Sequence, residues 1–566
     1  MRLVKREPDR GYLDSHLWVP KSLINVEGTK NTLSFKFENE KGERYVFLYE
    51  ETEHHLIVPR AFWKPGDLEF PVVDCRPLSY PHIDVTSKIV LDLKNPGKTL
   101  QRDAVNALLK AEGGVLQLAC GKGKTVCALE LLALIKQPTV IAVDNNQLLS
   151  QWLEEIHKWL VVPGGVEVVR GSKGDWNKSI ILTTYKTLGD ISDSLPPEIR
   201  ARFGLFIGDE GHHIAAPTYS RAAGLFFGKR IALTATPERV DGMHVITDFH
   251  IGTVLYKDLI QELRPRICFV WTGFQVDPLD RSVASEVCDI NGELHLSKLA
   301  TFFGRWRERL EFLIGEFRKA EAVGRRILVL SNSIEELVGL LALWNKEPEL
   351  YFEKPKVTPQ DVGETLPPVE VDERRIRHLT GKYHELKKLL QSNLNPAKKH
   401  QTQLMFDGVS KELKQHEVWK KVSAEETRRF RVYIEGVLSK PSNAGVMMGS
   451  MKPDQRQHVL KTKQIVFAIT KYGREGLDNP DLDTVFTCEP MSQRNGLQQF
   501  MGRVLRNKAG KKSPLVVIFE DDIGPMKGMC ENLRRHLRTW PVEEGGPYEF
   551  EFVGHPKKGI KKPWLI

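Results

Sequence analysis

The sequence predicts an α/β protein with two tandem parallel-sheet lobes, a small N-terminal β-rich domain and a helical insertion in the second lobe. Three observations predict it. From about Asn95, short apolar runs at 114–118, 140–143, 180–183, 205–208 and 231–234 alternate with helix-length segments. Strands buried on both faces are apolar throughout, and crossover helices must separate parallel neighbours. The pattern then resumes after Pro265, with runs at 326–330, 445–448, 465–468, 484–486 and 515–519. Third, the residues before Asn95 have a different texture. Leu33, Phe35 and Phe37 alternate with polar residues, Lys41-Gly42 forms a turn, and Tyr45-Val46-Phe47-Leu48-Tyr49 follows, which together signal a hairpin.

At 566 residues the chain has room for roughly three to four domains. The expected boundaries are 1–94 for the β-rich accessory domain, 95–262 for the first lobe, 263–535 for the second and 536–566 for a C-terminal tail. The insertion spans 346–443. An acidic, proline-rich stretch opens it, and a polar helical region with Arg374, Arg375, Arg377, Lys387, Lys388, Lys398, Lys399, Lys420, Lys421, Arg428 and Arg429 follows. Two readings stay open for that region: solvated charged helices, or a basic arm for a polyanion. The N-terminal module has two readings as well, a structural cap or a contact module.

Composition excludes several classes. The chain is 41% hydrophobic and 27% charged, with a formal net charge of +9. That balance fits a globular protein and weakly favours polyanionic partners. No apolar run reaches the ~18–20 residues of a membrane span. The opening residues are charged, which argues against a secretory leader. The expected location is therefore cytoplasmic, or wherever the polyanion lies. Seven scattered cysteines form no Cys-x-x-Cys framework, which argues for reduced thiols and against structural zinc.

The strongest local signal is Gly121-Lys122-Gly123-Lys124-Thr125, after a buried-looking strand and before a helix expected over 126–135. Glycines let backbone N–H groups wrap phosphates, and the helix N-terminus adds a favourable dipole. Lys124 would reach the β- and γ-phosphates of ATP, and Thr125 would hold Mg2+. The longer form of this loop has a glycine where Leu118 stands. About 85 residues on, Gly208-Asp209-Glu210-Gly211-His212 ends an apolar strand. Asp209 suits a Mg2+ ligand and Glu210 a general base on water. Leu233-Thr234-Ala235-Thr236-Pro237 comes next, with hydroxyls at a strand end. In the second lobe, Gln499, Gly502, Arg503 and Arg506 would share one helix face. Their guanidinium forks suit charge developing on a transferred phosphoryl group.

In this order the motifs resemble those of the superfamily 2 helicases, whose motor is a pair of RecA-like lobes. By that resemblance Gln101 reads adenine, 121–125 is motif I, 209–212 is a DEAH-type motif II with Gly211 for alanine, and 234–236 is motif III. Gly473-Arg474-Glu475-Gly476-Leu477-Asp478 resembles motif V, and 499–506 motif VI, with Arg503 and Arg506 as arginine fingers. Residues 234–242 and 252–256, with 474–480 and 519–522, are similar to the XPB and UvsW branch. The resemblance implies catalytic roles for Lys124, Asp209, Glu210, Arg503 and Arg506. It implies nucleotide contacts for Gln101, Gly121, Gly123, Thr125, His212, Gly476, Asp478 and Gln499, and nucleic-acid contacts for Thr183, Thr184, Tyr185, Gln147, Gly473 and Arg474. The implied activity is ATP-dependent movement on duplex or branched DNA in repair, recombination or replication. An RNA helicase or transcript-release factor and a nucleic-acid-binding scaffold with a silent ATP site are the alternatives. Asp144, in the loop that would be motif Ia, sets an acidic residue near an expected phosphate contact.

Overall fold

A computed structural model describes the chain except for residues 1–5, 40–41, 64–66, 92–95, 120, 172, 236–241, 261–262, 290–291, 353–356, 370–372, 392–395, 439–441, 450, 452, 472–478, 491–496, 498–500, 502–509, 543–544 and 556–566. Two seven-stranded parallel sheets dominate it, as tandem RecA-like lobes.

The first sheet runs in the order Val166–Val168, Ile180–Thr184, Thr139–Val143, Leu205–Asp209, Lys229–Thr234, Gly113–Leu118, Val254–Asp258. Alternate side chains go to opposite faces. Leu116, Leu118, Ile141, Ile207 and Leu233 pack under the helices Pro96–Lys110, Lys124–Ile135 and Asn146–Trp159. Val115, Val140, Ala142, Phe206 and Ala232 face the other way, toward Tyr185, Leu188 and Ala222. Burial on both faces is why these strands carry no polar alternation.

The second sheet has the order Ala444–Met447, Ile465–Ile469, Ile327–Ser331, Thr484–Thr487, Leu515–Glu520, Arg266–Trp271, Glu551–Val553. Its last strand lies in the segment expected to be a tail. Glu551–Val553 pairs in parallel with Arg266–Trp271, and Trp540 and Tyr548 are buried in the second-lobe core. The basic lysines at the end of the sequence obscured this, because a three-residue strand with only Phe552 and Val553 apolar is too short to stand out beside them. At the C-terminal ends of these strands, Arg309 is fully buried. It donates to Asp521 Oδ2 at 3.0 and 2.9 Å, to Glu336 Oε1 at 2.5 Å and to the Cys488 carbonyl at 2.6 Å.

The insertion is helical, as expected. Helix Glu373–Leu390 packs antiparallel to the 43-residue helix Pro396–Leu438, which at 1.5 Å per residue is about 65 Å long. Leu379, Leu386 and Val409 form their seam, Tyr383 stacks near Phe406 at 4.9 Å, and Arg375 pairs with Glu412 at 3.1 Å.

The N-terminal sheet, ordered Glu50–Glu51, His55–Pro59, His16–Pro20, Gly11–Leu13, Val72–Asp74, docks on the first lobe. Leu17, Val19, Leu56 and Val58 share a core with Ala215 and Ile246. Arg230, fully buried, spans the seam by donating to the carbonyls of Ser15, Gly224, Phe226 and His250. Arg60 donates back to the Phe227 and Gly228 carbonyls at 2.7 and 2.9 Å.

Candidate functional site

The site gathers at the C-terminal ends of the first sheet's strands, where open α/β sheets present their crevice. Strand Gly113–Leu118 runs into the glycine loop, and helix Lys124–Ile135 starts directly from it. Gly121 and Gly123 have φ of 84° and 85°, which aim successive N–H groups into one concavity. A Cβ on Gly123 would sit 2.3 Å from Gln101 Nε2. Gln101, on helix Pro96–Lys110, fills that space and donates to the Lys122 carbonyl at 3.1 Å. Lys98 in turn donates to Gln101 Oε1 at 3.3 Å. Gln101 therefore lies against the loop.

Lys124 folds back, its Nζ donating to the Leu118 carbonyl at 3.1 Å. A phosphate would draw it off that weak neutral acceptor. Thr125 follows in the first turn, half-buried.

Asp209 is the last residue of its strand and is buried. Its Oδ2 accepts from Trp152 Nε1 at 2.8 Å, and its Oδ1 accepts from the Glu210 N–H at 3.0 Å. Burial, then the neighbouring Glu210 charge, pushes the Asp209 carboxyl up to about 6, against the opposing pull of Trp152 and Lys124. A carboxylate held this way is poised for a cation. The donor set of Asp209 and the Thr125 hydroxyl is hard oxygen, which fits Mg2+.

Glu210 has φ 48° and ψ 53°, a left-handed conformation unusual for a residue with a Cβ. Such strain persists where the surroundings over-determine it, often at functional sites. His212 Nδ1 lies 3.5 Å from Glu210 Oε2 and 3.4 Å from Thr234 Oγ1. The end of strand Lys229–Thr234 is thereby joined to Glu210 through one imidazole.

Other expected residues fall elsewhere. Thr183 is fully buried and donates to the Val169 carbonyl at 2.9 Å. Tyr185 is fully buried too, and its hydroxyl donates to the Asp209 carbonyl at 2.8 Å. Neither side chain offers surface to a nucleic acid, which corrects the expectation for both: a hydroxyl next to a strand end can satisfy buried backbone as readily as face a ligand. Thr184 caps the helix Tyr185–Ile191, accepting from the Thr187 N–H. Gln147 is buried at the start of helix Asn146–Trp159, and its Oε1 accepts from Arg456 Nη1 of the second lobe at 3.3 Å. Gly473, Arg474, Gly476, Asp478, Gln499, Arg503 and Arg506 lie outside the described residues, as does Thr236. Sequence reasoning missed Trp152. Its one available signal is its place in an amphipathic helix, which also fits ordinary core packing.

Fold and site together define a two-lobed P-loop protein. Residues 95–239 match the family model described as "Type III restriction enzyme, res subunit", and residues 405–508 match "Helicase conserved C-terminal domain". The chain is 37% identical over 244 residues to the DNA 3'-5' translocase XPB2 of Sulfurisphaera tokodaii, covering 43% of this chain and 51% of that protein. It is 23% identical over 321 residues to the general transcription and DNA repair factor IIH helicase/translocase subunit XPB of Enterocytozoon bieneusi, covering 50% of each. The chain thus spans about half the length of these curated relatives. Among solved structures, T4 UvsW aligns with 96% of this chain and 99% of its own at 14% identity and a TM-score of 0.32, too loose a superposition to add weight. Over the matched residues the chain is thus similar to helicases, among them proteins named for XPB.

Proposed function

We propose that the chain is an ATP-dependent helicase or translocase that moves on duplex or branched DNA in repair, recombination or replication. The observation that carries this reading is the meeting of a phosphate loop with Asp209 and Glu210 at the C-terminal ends of the first sheet's strands, with Lys124 close enough to Asp209 to act on its charge. In this reading ATP enters the crevice and Lys124 exchanges the Leu118 carbonyl for the β- and γ-phosphates. Thr125 and Asp209 would hold Mg2+, which when bound neutralises charge on the phosphate oxygens. Glu210 accepts a proton from water, whose oxygen attacks the γ-phosphorus while the bond to the ADP oxygen breaks. Arg503 and Arg506 would stabilise that charge from the second lobe, and Gln499, Gly476 and Asp478 would complete the nucleotide contacts. His212 would pass the state of Glu210 to Thr234.

Movement needs nucleic-acid contacts. Thr184, Gly473 and Arg474 remain candidates, and the insertion's helical hairpin adds another. Residues 373–438 carry 15 Lys and Arg against 8 Asp and Glu, a net +7 where the whole chain has +9. Backbone contacts from such a surface would be tight, salt-sensitive and sequence-independent.

ATP turnover by the purified chain, alone and with single-stranded DNA, duplex DNA, a four-way junction and RNA, tests the reading. Stimulation by duplex or branched DNA is expected. Stimulation by RNA alone would make it an RNA helicase, and no turnover with any of them would leave a silent scaffold. Glu210→Gln should lower turnover by at least about 100-fold while nucleic-acid binding persists. Full activity in that variant would sink the assignment.

A further inference from the structure

We propose that Asp258 is a positioning residue that ties the state of the phosphate loop to the linker between the two lobes. The proposal rests on the ATP-driven reading above. Lys122, inside the loop, donates through Nζ to Asp258 Oδ1 at 2.7 Å, with each side chain 18% exposed. Asp258 ends the edge strand Val254–Asp258 and lies opposite Leu118, the residue before the loop. Its carbonyl accepts from the Ala119 N–H at 2.8 Å. Loop entry and strand end are therefore joined twice, once by backbone and once by an ion pair.

The other side of Asp258 is the way out of the first lobe. The same Oδ1 accepts from the Ile260 N–H at 3.1 Å, and Leu259 is buried. Leu263 already packs against the second-lobe core that contains Trp540 and Tyr548, and strand Arg266–Trp271 of the second sheet begins three residues later. Five residues span at most about 18 Å when fully extended. Seven residues, 259–265, separate Asp258 from that strand.

Nucleotide supplies the shift. Lys122 and Lys124 are the two lysines of the loop, and in this structure each is engaged by the loop's own surroundings: Lys124 by the Leu118 carbonyl and Lys122 by Asp258. A triphosphate brings several negative charges to the same loop. Asp258 then shares the Lys122 ammonium with a stronger anion, and its hold on the loop weakens. Gln101, which grips the Lys122 carbonyl, keeps the backbone in place while the side chain changes partner. The linker therefore starts from one position when the loop is empty and from another when it is filled. Two states distinguished by differential contacts are what coupling between sites requires.

The test uses the full chain with Asp258→Asn and Asp258→Glu, measuring ATP turnover with and without duplex DNA, and thermal stability. Asparagine keeps an oxygen that can accept from the Ile260 N–H and from Lys122, so the Asn variant should melt close to the unaltered chain. Its turnover without DNA, in both kcat and KM, should stay within about twofold, while DNA-stimulated kcat falls about fivefold or more. Asp258→Glu, which keeps the charge, should recover most of the stimulation. Undiminished stimulation in Asp258→Asn overturns the proposal. A parallel fall of basal and stimulated turnover with a lowered melting point also overturns it, because Asp258 would then be part of the loop's framework. Absence of turnover in the unaltered chain would instead remove the ATP-driven reading itself.

Discussion

Asp209 is held by three groups, and only one of them is its neighbour in sequence. The Glu210 N–H and the Trp152 indole fix its two oxygens, and Tyr185 fixes its carbonyl. Groups that orient a metal-ligating carboxylate commonly change activity 10- to 100-fold when removed. Trp152→Phe keeps an aromatic ring in the first-lobe core while removing the indole N–H and the smaller part of its packing. Its expected outcome is a kcat about 10-fold lower with the fold retained, read from steady-state turnover beside far-ultraviolet circular dichroism. Wild-type kcat would make the indole a packing residue only. The glycine loop, Lys124 and the Asp209-Glu210 pair were legible in the sequence because their chemistry is written in consecutive residues. Trp152 lies 57 positions from Asp209 and Tyr185 lies 24, so their roles exist only once the strands are paired.

Most strands buried on both faces announced themselves as apolar runs, while three of the four edge strands of the two seven-stranded sheets did not. Val254–Asp258 is largely half-exposed, and Val166–Val168 and Glu551–Val553 have three residues each, so none forms a run that stands out. The ion cluster of the second lobe was also invisible, since its members come from separate elements. Arg309 neutralises Glu336 and Asp521, while Glu489 beside them is pushed well above the usual carboxylate range, first by burial and then by Glu336. Arg309→Met leaves two buried carboxylates without their cation and should cost about 3–5 kcal/mol in urea denaturation of the second lobe. A loss under 1 kcal/mol would mean that water reaches the cluster. The seam between the N-terminal sheet and the first lobe has its own electrostatic signature. His250 is buried there, its ring nitrogens without a hydrogen-bond partner among the described residues, facing His16 and Arg230. Burial and then those two neighbours hold its pKa well below 6.5. The folded state thus favours the neutral ring, so its contribution is complete above pH 6.5 and is lost as pH falls below that value. Urea midpoints should drop between pH 7.5 and pH 5, and His250→Phe should flatten that drop without destabilising the protein at pH 7.5. An unchanged slope in the variant would place the acid sensitivity elsewhere.

Across the whole molecule, charge is concentrated away from the sheets. The hairpin 373–438 holds most of the chain's net positive charge on an arm about 65 Å long, and its core is only a thin seam of Leu379, Leu386 and Val409. Lys387, Lys388, Lys398 and Lys399 are exposed on the two helices near the end where they meet, outside the apolar seam, with Lys387 Nζ 5.9 Å from the centre of the Tyr383 ring. The two readings left open by the sequence differ in one measurable way. Solvated helices would leave binding unchanged when these lysines are neutralised. A polyanion-gripping arm would lose counterion release, and each lost phosphate contact makes the slope of log K against log salt shallower by about 0.9 on duplex DNA. Replacing all four with glutamine should therefore weaken duplex binding and flatten the slope by up to about 3–4, while ATP turnover without nucleic acid stays the same. The separation matters because the glycine loop lies in the first lobe and the arm springs from the second, joined across the crevice by contacts such as Arg456 to Gln147. If affinity falls but basal turnover holds, the arm and the motor are distinct parts. If both fall together, the arm helps to hold the lobes, and the charge excess is structural rather than a grip on DNA.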